Sequence, residues 1–300
     1  MVELVRVPRL ALRITLVGLI GALAVLVAGF GGGFADGADE PATDATTAFM
    51  MSTVRAYTVR GGGTLDRELK LHPRPILKWT NPVSGIEHGA LVMWRDEERP
   101  MVFAQVFKIP APENFWLHEA QSVASSPLEF RLEERVTWNP KRGGAEFAPL
   151  QGADAPTGKG PALLVQVKTL ARRFAATEDF RTTPASDATK FELRLVTQPL
   201  YQYQSVKLGV LTGCVFAFVN GTDPEVLLVL EARTAQGSGT AEQPAWHYLL
   251  CPMTCWKTSA EFDKQPIWSV EEQFGKTGRT DPYFVWRMDE SLAKNDPTEK

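Results

Sequence analysis

The chain has 300 residues, of which 44% are hydrophobic and 22% are charged, and its net charge is −3 at pH 7. This length is close to the upper limit for a single hydrophobic core, so one large domain or two medium ones are expected. The composition excludes a disordered tail, a collagen-like fibre and a polytopic membrane protein. Three cysteines are too few for a disulfide-dense miniprotein, and the mildly acidic charge disfavours nucleic-acid binding.

The first 35 residues have the pattern of an export signal. Three arginines, Arg6, Arg9 and Arg13, precede the uncharged stretch 14–35, which is apolar and ends in small residues. This pattern predicts a signal peptide cleaved before Asp36, although the stretch is also long enough to remain as an uncleaved membrane anchor. We therefore expect an exported protein, periplasmic or extracellular, that contacts a membrane only through this segment if the segment is retained.

The most informative feature is an internal repeat. Segments 91–107 and 215–231 each consist of two apolar runs of strand length, separated by a polar turn that ends in a proline. These prolines, Pro100 and Pro224, are 124 residues apart. The second turn contains Asn220-Gly221, and Asn-Gly between apolar runs is the strongest short-range signal of a β-hairpin.

The similarity continues on both sides of the hairpins. Trp116 and Trp246 are 130 residues apart, and LKWTNP at 77–82 resembles LRLVTQP at 193–199. The difference between the two spacings is expected in the loop 234–243, because its glycine, serine and threonine residues suit an exposed insertion.

These observations predict a mainly β fold of the α+β class, with two similar antiparallel β meanders of about five strands each, joined by a helix-bearing linker. Apolar residues at helical spacing place the helix at 163–176. The expected regions are a leader (1–35), a tether and lead-in (36–70), a first β repeat (71–150), the linker (151–190), a second β repeat (191–290) and a polar, frayed tail (291–300). The expected strands are 76–82, 90–97, 100–109, 115–124 and 128–138, then 191–203, 213–220, 224–233, 245–251 and 260–270, and a last strand at 281–286.

The same segments carry a resemblance to a known family. The chain resembles an uncharacterised family of exported bacterial proteins in LKWTNPVSG, ALVMWRDEERPMVFAQVFK, WLHEAQSV with the following PLEF, LRLVTQPLYQY and FAFVNGTDPEVLLVLEAR. The resemblance covers about residues 71–290. The family has no known function and no known catalytic or binding residues, so the resemblance assigns no role to any residue of this chain.

His118, Glu119 and His247 are the candidate catalytic residues. A histidine beside a carboxylate suits general-base chemistry, and His247 is the approximate counterpart of His118 in the second repeat. Adjacent side chains on a strand point to opposite faces, so His118 and Glu119 are not expected to touch. The favoured interpretation is that both histidines are half-buried structural residues.

Acidic residues also occur in the hairpin turns, where they are expected for solvation and turn geometry. They are Asp96, Glu97, Glu98 and Asp223. Their spacing predicts neither the carboxylate pair of a glycosidase nor a calcium-binding loop.

The three cysteines, Cys214, Cys251 and Cys255, are an odd number, so at most one intramolecular disulfide can form. A turn at Pro252 could bring Cys251 and Cys255 together. The spacing of His247, Cys251 and Cys255 matches no standard set of zinc ligands. We therefore expect neither a metal ion nor a cofactor.

Tryptophans fall in or beside many of the expected strands. Burial in a β core is the favoured interpretation, because indole rings bury a large apolar area. The alternative is an exposed row of rings that stacks on sugar or peptide, and the candidate ligand-binding residues are then Trp79, Trp94, Trp116 and Trp246.

These features together predict an exported, non-catalytic binding or structural module of the periplasm or cell envelope, whose ligand or protein partner is unknown. The alternative is an exported hydrolase that acts on envelope polymers or carbohydrate, with His118 or His247 as the general base. An enzyme is expected to have a concave cleft with converging polar groups and with acids or bases of shifted pKa. A binding module is expected to have an exposed aromatic or apolar patch of several hundred Å² instead, and a structural subunit a self-complementary patch.

Overall fold

Antiparallel β-sheets dominate the structure, a computed structural model that describes residues 44–182, 185–234 and 243–299. The mainly β fold with few helices, predicted from the sequence, is confirmed. The predicted leader (1–35), the start of the predicted tether and most of the predicted insertion (234–243) lie outside the described residues.

The described chain contains three α-helices, one 3₁₀ turn and nineteen strands. The helices are α1 (Ala45–Arg55), α2 (Pro161–Ala171) and α3 (Glu290–Ala293), and the 3₁₀ turn is Pro297–Glu299. The strands up to residue 149 are β1 (Tyr57–Gly61), β2 (Arg67–Glu68), β3 (Lys70–Leu71), β4 (Leu77–Asn81), β5 (Ile86–Asp96), β6 (Arg99–Ile109), β7 (Phe115–Ser122), β8 (Leu128–Leu132), β9 (Arg135–Trp138) and β10 (Ala148–Pro149). The later strands are β11 (Phe174–Phe180), β12 (Thr189–Leu195), β13 (Tyr201–Ser205), β14 (Val210–Asn220), β15 (Asp223–Arg233), β16 (Ala245–Pro252), β17 (Lys257–Phe262), β18 (Gln265–Val270) and β19 (Tyr283–Arg287).

Each half consists of a long meander with a smaller layer packed on one face. The meanders are β5-β6-β7 and β14-β15-β16, and β4 and β13 pair with their first strands. The smaller layers are β1, β8 and β9 with α1, and β11, β17 and β18 with α2. In the second half β12 pairs with both β11 and β14, whereas the first half has the two short strands β2 and β3 before its meander.

The two meanders repeat each other in length, register and turn conformation. The strands β4, β5 and β6 recur as β13, β14 and β15 with a constant offset of 124 residues, and β7 recurs as β16 with an offset of 130. The ladder of each hairpin shifts register at equivalent positions, after Trp94 and after Phe218. The turns place Glu97 and Gly221, again 124 residues apart, at positive φ. The internal repeat predicted from the sequence is therefore present in the backbone.

The repeat also extends to the smaller layers, as the expected strands 128–138 and 260–270 indicated for one hairpin of each layer. The hairpin β8-β9 recurs as β17-β18, with Phe130 opposite Trp138 in the first and Ala260 opposite Trp268 in the second. The helix and strand α1 and β1 precede the first meander as α2 and β11 precede the second. The helix expected at 163–176 therefore stands at the start of the second half.

Three expected strands each form two strands. Segments 128–138 and 260–270 turn at Glu133 and Asp263, both of which adopt positive φ. These turns, Glu133-Glu134 and Asp263-Lys264, are polar but lack glycine and proline. The third, 191–203, is broken by its proline, which cannot donate a ladder hydrogen bond.

The last part of the expected tether is not a tether but forms α1, followed by β1. Asp44 caps the helix by accepting a hydrogen bond of 2.7 Å from Thr47 N. Phe49, Met51 and Val54 are buried in the core shared with the first meander. Alanine and threonine residues make up much of this helix, so its apolar face is short.

The two halves exchange their last strands. The strand β10, which follows the first half, pairs with β16 of the second, and β19, which follows the second half, pairs with β7 of the first. The last strand, expected at 281–286, is confirmed at Tyr283–Arg287. Each half thereby completes the sheet of the other.

The polar tail, expected to be frayed, is docked on the first half. Asp296 is buried and accepts hydrogen bonds from Lys108 Nζ at 2.8 Å and Trp116 Nε1 at 2.7 Å. Burial raises the pKa of this carboxyl, but the hydrogen bonds outweigh burial and hold the pKa of Asp296 at about 2.

A core between the two meanders joins the halves. Leu91 and Phe103 of the first meander are buried there with Val215 and Leu227 of the second. Two further cores lie between each meander and its own smaller layer. The central strand β15 contributes alternate residues of 226–230 to cores on both of its faces, as its continuous apolar run predicts.

An aromatic ring packs directly on a glycine in both halves. Trp79 covers Gly89 and Tyr203 covers Gly213, and a Cβ at these glycines would lie 2.2 and 2.3 Å from ring atoms.

We expect Gly89→Ala and Gly213→Ala each to lower the free energy of unfolding by about 2 kcal/mol, because the ring has to move. Urea unfolding followed by tryptophan fluorescence measures the change. The control is Gly63→Ala, where a Cβ meets no atom within 4 Å; equal effects at all three sites would contradict the packing argument.

Candidate functional site

A cavity of about 340 Å³ lies where the two halves meet. The strands β4 to β7 and β19 supply one wall, and β11, the start of β15 and the loop between β16 and β17 supply the other. Its volume is in the range of small-molecule sites, and its lining combines aromatic rings with buried polar side chains. The cavity is therefore the candidate functional site.

Four carboxyl groups line this cavity: Glu119 on β7, Glu178 on β11, and Asp223 and Glu225 on β15. All four side chains are more than nine-tenths buried. Asp223 and Glu225 flank Pro224 at the start of β15, and both line the cavity. Among the described residues that line the cavity there is no lysine, arginine or histidine. The site is therefore acidic and has no basic counterpart.

Burial raises the pKa of all four carboxyls, because the charged form loses its hydration. The pKa of Glu119 rises to about 8, although the hydroxyl of Tyr283 donates a hydrogen bond to it. The pKa of Asp223 rises to about 7. Repulsion between neighbouring carboxylates adds to the effect of burial at Glu119, Asp223 and Glu225. At neutral pH the carboxyl of Glu119 is therefore largely protonated, and that of Asp223 is protonated in part.

Hydrogen bonds hold two further carboxyls, those of Asp223 and Glu178, in place. Asn81 Nδ2 donates to Asp223 Oδ2 at 3.0 Å, and this bond connects β4 of the first half to β15 of the second. Thr254 Oγ1, in the loop after β16, donates to Glu178 Oε1 at 3.0 Å. The position of each acid therefore depends on residues distant from it in sequence.

Five buried polar atoms in the lining have no hydrogen-bond partner in the protein: Trp79 Nε1, Gln105 Oε1, Glu178 Oε2, Asp223 Oδ1 and Gln273 Nε2. Gln105 is 1% exposed, and its amide nitrogen donates to Met253 O at 2.8 Å and Pro224 O at 3.2 Å. These bonds fix the amide orientation and leave Gln105 Oε1 without a donor. Asp223 Oδ1 also lacks a donor, and Trp79 Nε1 lacks an acceptor. Such atoms are uncommon in protein interiors and are available to a ligand.

Aromatic rings form the apolar part of the lining. Trp79 and Phe107 pack with their ring centroids 5.6 Å apart. Trp256 and Phe274 stack with their centroids 5.5 Å apart and their planes only 6° from parallel. Phe180 packs edge-on against Trp256. Phe274 is 41% exposed and marks the rim of the cavity.

The structure separates the two histidine candidates from the cavity. Glu119 and His118 point to opposite faces of β7, as the strand pattern predicts, and only Glu119 lines the cavity. His118 is fully rather than half buried, and it stacks on Trp286 at a centroid distance of 5.3 Å. Burial lowers the pKa of His118 to about 3. His247 does not line this cavity, and burial together with Arg233 lowers its pKa.

The four tryptophans considered as ligand-binding residues, Trp79, Trp94, Trp116 and Trp246, are all buried. They therefore do not form an exposed row of rings. Trp94, Trp116 and Trp246 belong to the cores between each meander and its smaller layer. Of the four, Trp79 lines the cavity.

Sequence patterns do not single out Glu178 or Glu225, and they place Asp223 in a solvated turn, which the structure corrects. Asp223 is buried because its turn packs against Asn81 of the other half. The one available signal was an acid, Glu225, beside an apolar run that the sequence predicts to be covered on both faces. A buried acid in such a strand is costly and therefore indicates a site.

The three cysteines are unpaired, so the turn at Pro252 does not produce a disulfide between Cys251 and Cys255. Cys214 and Cys251 are buried in apolar cores. Cys255 lines the cavity, where burial raises its pKa well above the ordinary value. Within the residues that the structure describes, no three or more histidine, cysteine, aspartate and glutamate side chains are grouped so that they could hold a metal ion.

Comparisons of the chain with protein-family models, with curated proteins and with solved structures found no match. No helix in the described part of the chain is long and apolar enough to cross a membrane. The chemistry of the cavity is therefore the basis for a functional interpretation.

The raised pKa of Glu119 predicts how stability depends on pH. The folded protein favours the protonated carboxyl, so this stabilisation is complete below pH 4.5 and is lost as the pH rises through 8. We expect Glu119→Gln to match the unchanged protein at pH 5 and to exceed its free energy of unfolding by about 2 kcal/mol at pH 9. Urea unfolding at a series of pH values measures this.

The matched control is Glu87→Gln, which neutralises an exposed carboxyl on β5 of the same half. Its stability should follow that of the unchanged protein at every pH. If the Glu119→Gln protein also shows the unchanged pH dependence, Glu119 is not protonated in the folded state.

Proposed function

We propose that the protein is an exported, non-catalytic module that binds a small molecule in the cavity between its two halves. The observation that carries the proposal is the combination of aromatic walls with buried polar atoms that have no partner in the protein, in one space of about 340 Å³. Buried acceptors without donors cost free energy, and a ligand that supplies the donors recovers it.

The site favours binding over hydrolysis with a histidine base. Neither His118 nor His247 lines the cavity, and the pKa of His118 is too low for a base near neutral pH. Cys255 is a poor nucleophile there, because its raised pKa keeps the thiol protonated. The residues that converge on the cavity are suited to hold a ligand by hydrogen bonds and ring contacts.

Filling the cavity should abolish ligand binding without unfolding the protein. Leu117 is a half-exposed lining residue on β7, and we expect Leu117→Trp to occupy the space that a ligand needs. Thermal melting in the presence of a panel of small amines, alcohols, carboxylates and sugars measures binding. At least one class should raise the melting temperature of the unchanged protein by a few degrees and leave the Leu117→Trp protein unaffected.

The matched control is Leu211→Trp, which makes the same change at an exposed position of β14 outside the cavity. It should retain every response of the unchanged protein. A panel in which no compound acts, or in which every active compound also stabilises the Leu117→Trp protein, would contradict the proposed site.

Export is supported by the basic and apolar pattern of residues 1–35 and by the resemblance to exported bacterial proteins. We expect the mature protein to begin at Asp36 and to be found outside the cytoplasm. Mass spectrometry of the intact chain from fractionated cells measures the N-terminus. A chain that retains Met1 in the cytoplasmic fraction would contradict export, whereas the same chain in the membrane fraction would identify an anchor.

A further inference from the structure

Because the two halves repeat each other, the cavity can be compared with the equivalent positions of the other half. Each residue of the first hairpin corresponds to the residue 124 positions later, so the lining of the cavity has a counterpart at the other end of the interface between the halves. The corresponding pairs are Trp79 and Tyr203, Arg99 and Asp223, Phe107 and Glu231, and Ile109 and Arg233.

The counterpart position is closed by a buried ionic cluster. Glu231 is fully buried, and it accepts hydrogen bonds from Arg99 Nε at 3.1 Å, from Arg233 and from the hydroxyl of Tyr203. The guanidinium groups of Arg99 and Arg233 lie over the ring of Phe147, with their Cζ atoms 4.7 and 4.1 Å from its centroid. A buried carboxylate is therefore neutralised there by two cations that stack on an aromatic ring.

The cavity contains carboxyls and aromatic rings, but its described lining contains no cation, and Phe107 stands where the cluster has Glu231. Asp223 stands where the counterpart has Arg99, and Ile109 stands where it has Arg233. Trp79 and Phe107 supply aromatic surface. At one end of the interface the carboxylate of Glu231 is thus neutralised by two arginines. At the equivalent other end, the described lining of the cavity has several carboxyls and no positive charge.

We propose that the cavity binds an organic ammonium ion, whose charged nitrogen contacts Asp223, Glu119 and Gln105 and whose apolar part packs on the aromatic wall. This inference rests on the proposal that the cavity is the ligand site. Gln105 Oε1 and Asp223 Oδ1 are buried acceptors that lack donors, and a primary ammonium group brings three N–H donors.

The ligand is an organic cation and not a metal ion. The described side chains offer no grouping that could hold a metal, and much of the lining is aromatic, which suits a cation with an apolar body. The volume of about 340 Å³ accommodates a molecule considerably larger than a hydrated ion.

Binding of a cation should release protons from the cavity. Five other titratable side chains line the cavity with Glu119: Glu178, Asp223, Glu225, Cys255 and Tyr283. None of these five side chains carries a positive charge. A bound ammonium ion would therefore supply the positive charge that these neighbours of Glu119 lack. It lowers the pKa of the carboxyls and displaces their protons, and affinity therefore rises with pH.

Isothermal titration calorimetry on the mature protein tests the inference with two probes of similar shape, 2-phenylethylamine and 2-phenylethanol, together with a small set of aliphatic primary amines. At pH 8 an amine should bind at least about tenfold more tightly than the alcohol. Its affinity should fall about tenfold at pH 6.5, while that of the alcohol should not change. Nα-acetyl-lysine methylamide mimics a lysine side chain in a peptide and serves as a further probe. If it binds more tightly than every small amine tested, the ligand is a peptide lysine, and the small-molecule assignment is overturned.

Two neutralising variants isolate the charge. Glu119→Gln and Asp223→Asn should each weaken amine binding by about fivefold or more. Each should leave alcohol binding within about twofold of the unchanged protein. If one variant does not fold, the other still tests the charge. Glu87→Gln, at an exposed position, should change neither. Equal affinities for amine and alcohol, both abolished by Leu117→Trp, would overturn the ammonium assignment and leave the cavity as the ligand site. If no amine binds, the ammonium assignment also fails, and if binding persists in the Leu117→Trp protein, the proposed site fails with it.

Discussion

The burial of four carboxyl groups without a basic side chain is the constraint on which the site depends. Each unit by which burial raises a pKa corresponds to about 1.4 kcal/mol of preference for the neutral form, so ionised carboxyls are costly in this place. The fold accommodates them by protonation and by hydrogen bonds, of which Asn81 to Asp223 and Tyr283 to Glu119 are examples. A free energy cost of this kind is retained in proteins where the polar groups serve a ligand.

Duplication explains how such a site arises beside a stable core. The two meanders pack against each other through an apolar core, and the two halves exchange their last strands, so much of the junction lies away from its two ends. At one end Arg99 and Glu231 join the halves by a buried ion pair. At the other end the same backbone positions carry Asp223 and Phe107, and a cavity remains. One copy of a common arrangement therefore contributes an ion pair to the junction, and the other copy leaves a cavity.

Local patterns in the sequence predict the hairpins, because Pro100, Pro224 and Asn220-Gly221 act within a few residues of the strands that they join. They predict neither helix α1, whose apolar face is short, nor the functional site. Glu119 and Asp223 are 104 positions apart in the chain, and Asp223 is buried only because Asn81 of the other half packs on its turn. Opposite orientation of His118 and Glu119 follows from strand geometry, but which of the two faces a cavity depends on the partner half.

The protonation state of Glu119 in the folded protein is the most direct test of this account. Carbon-13 NMR of the side-chain carboxyl, titrated between pH 4 and 10 with and without 2-phenylethylamine, measures it. The account predicts a titration near pH 8 in the free protein and a clear shift to lower pH when the amine is bound. A carboxyl that titrates near its ordinary value in the free protein, or whose titration the amine does not change, would contradict it.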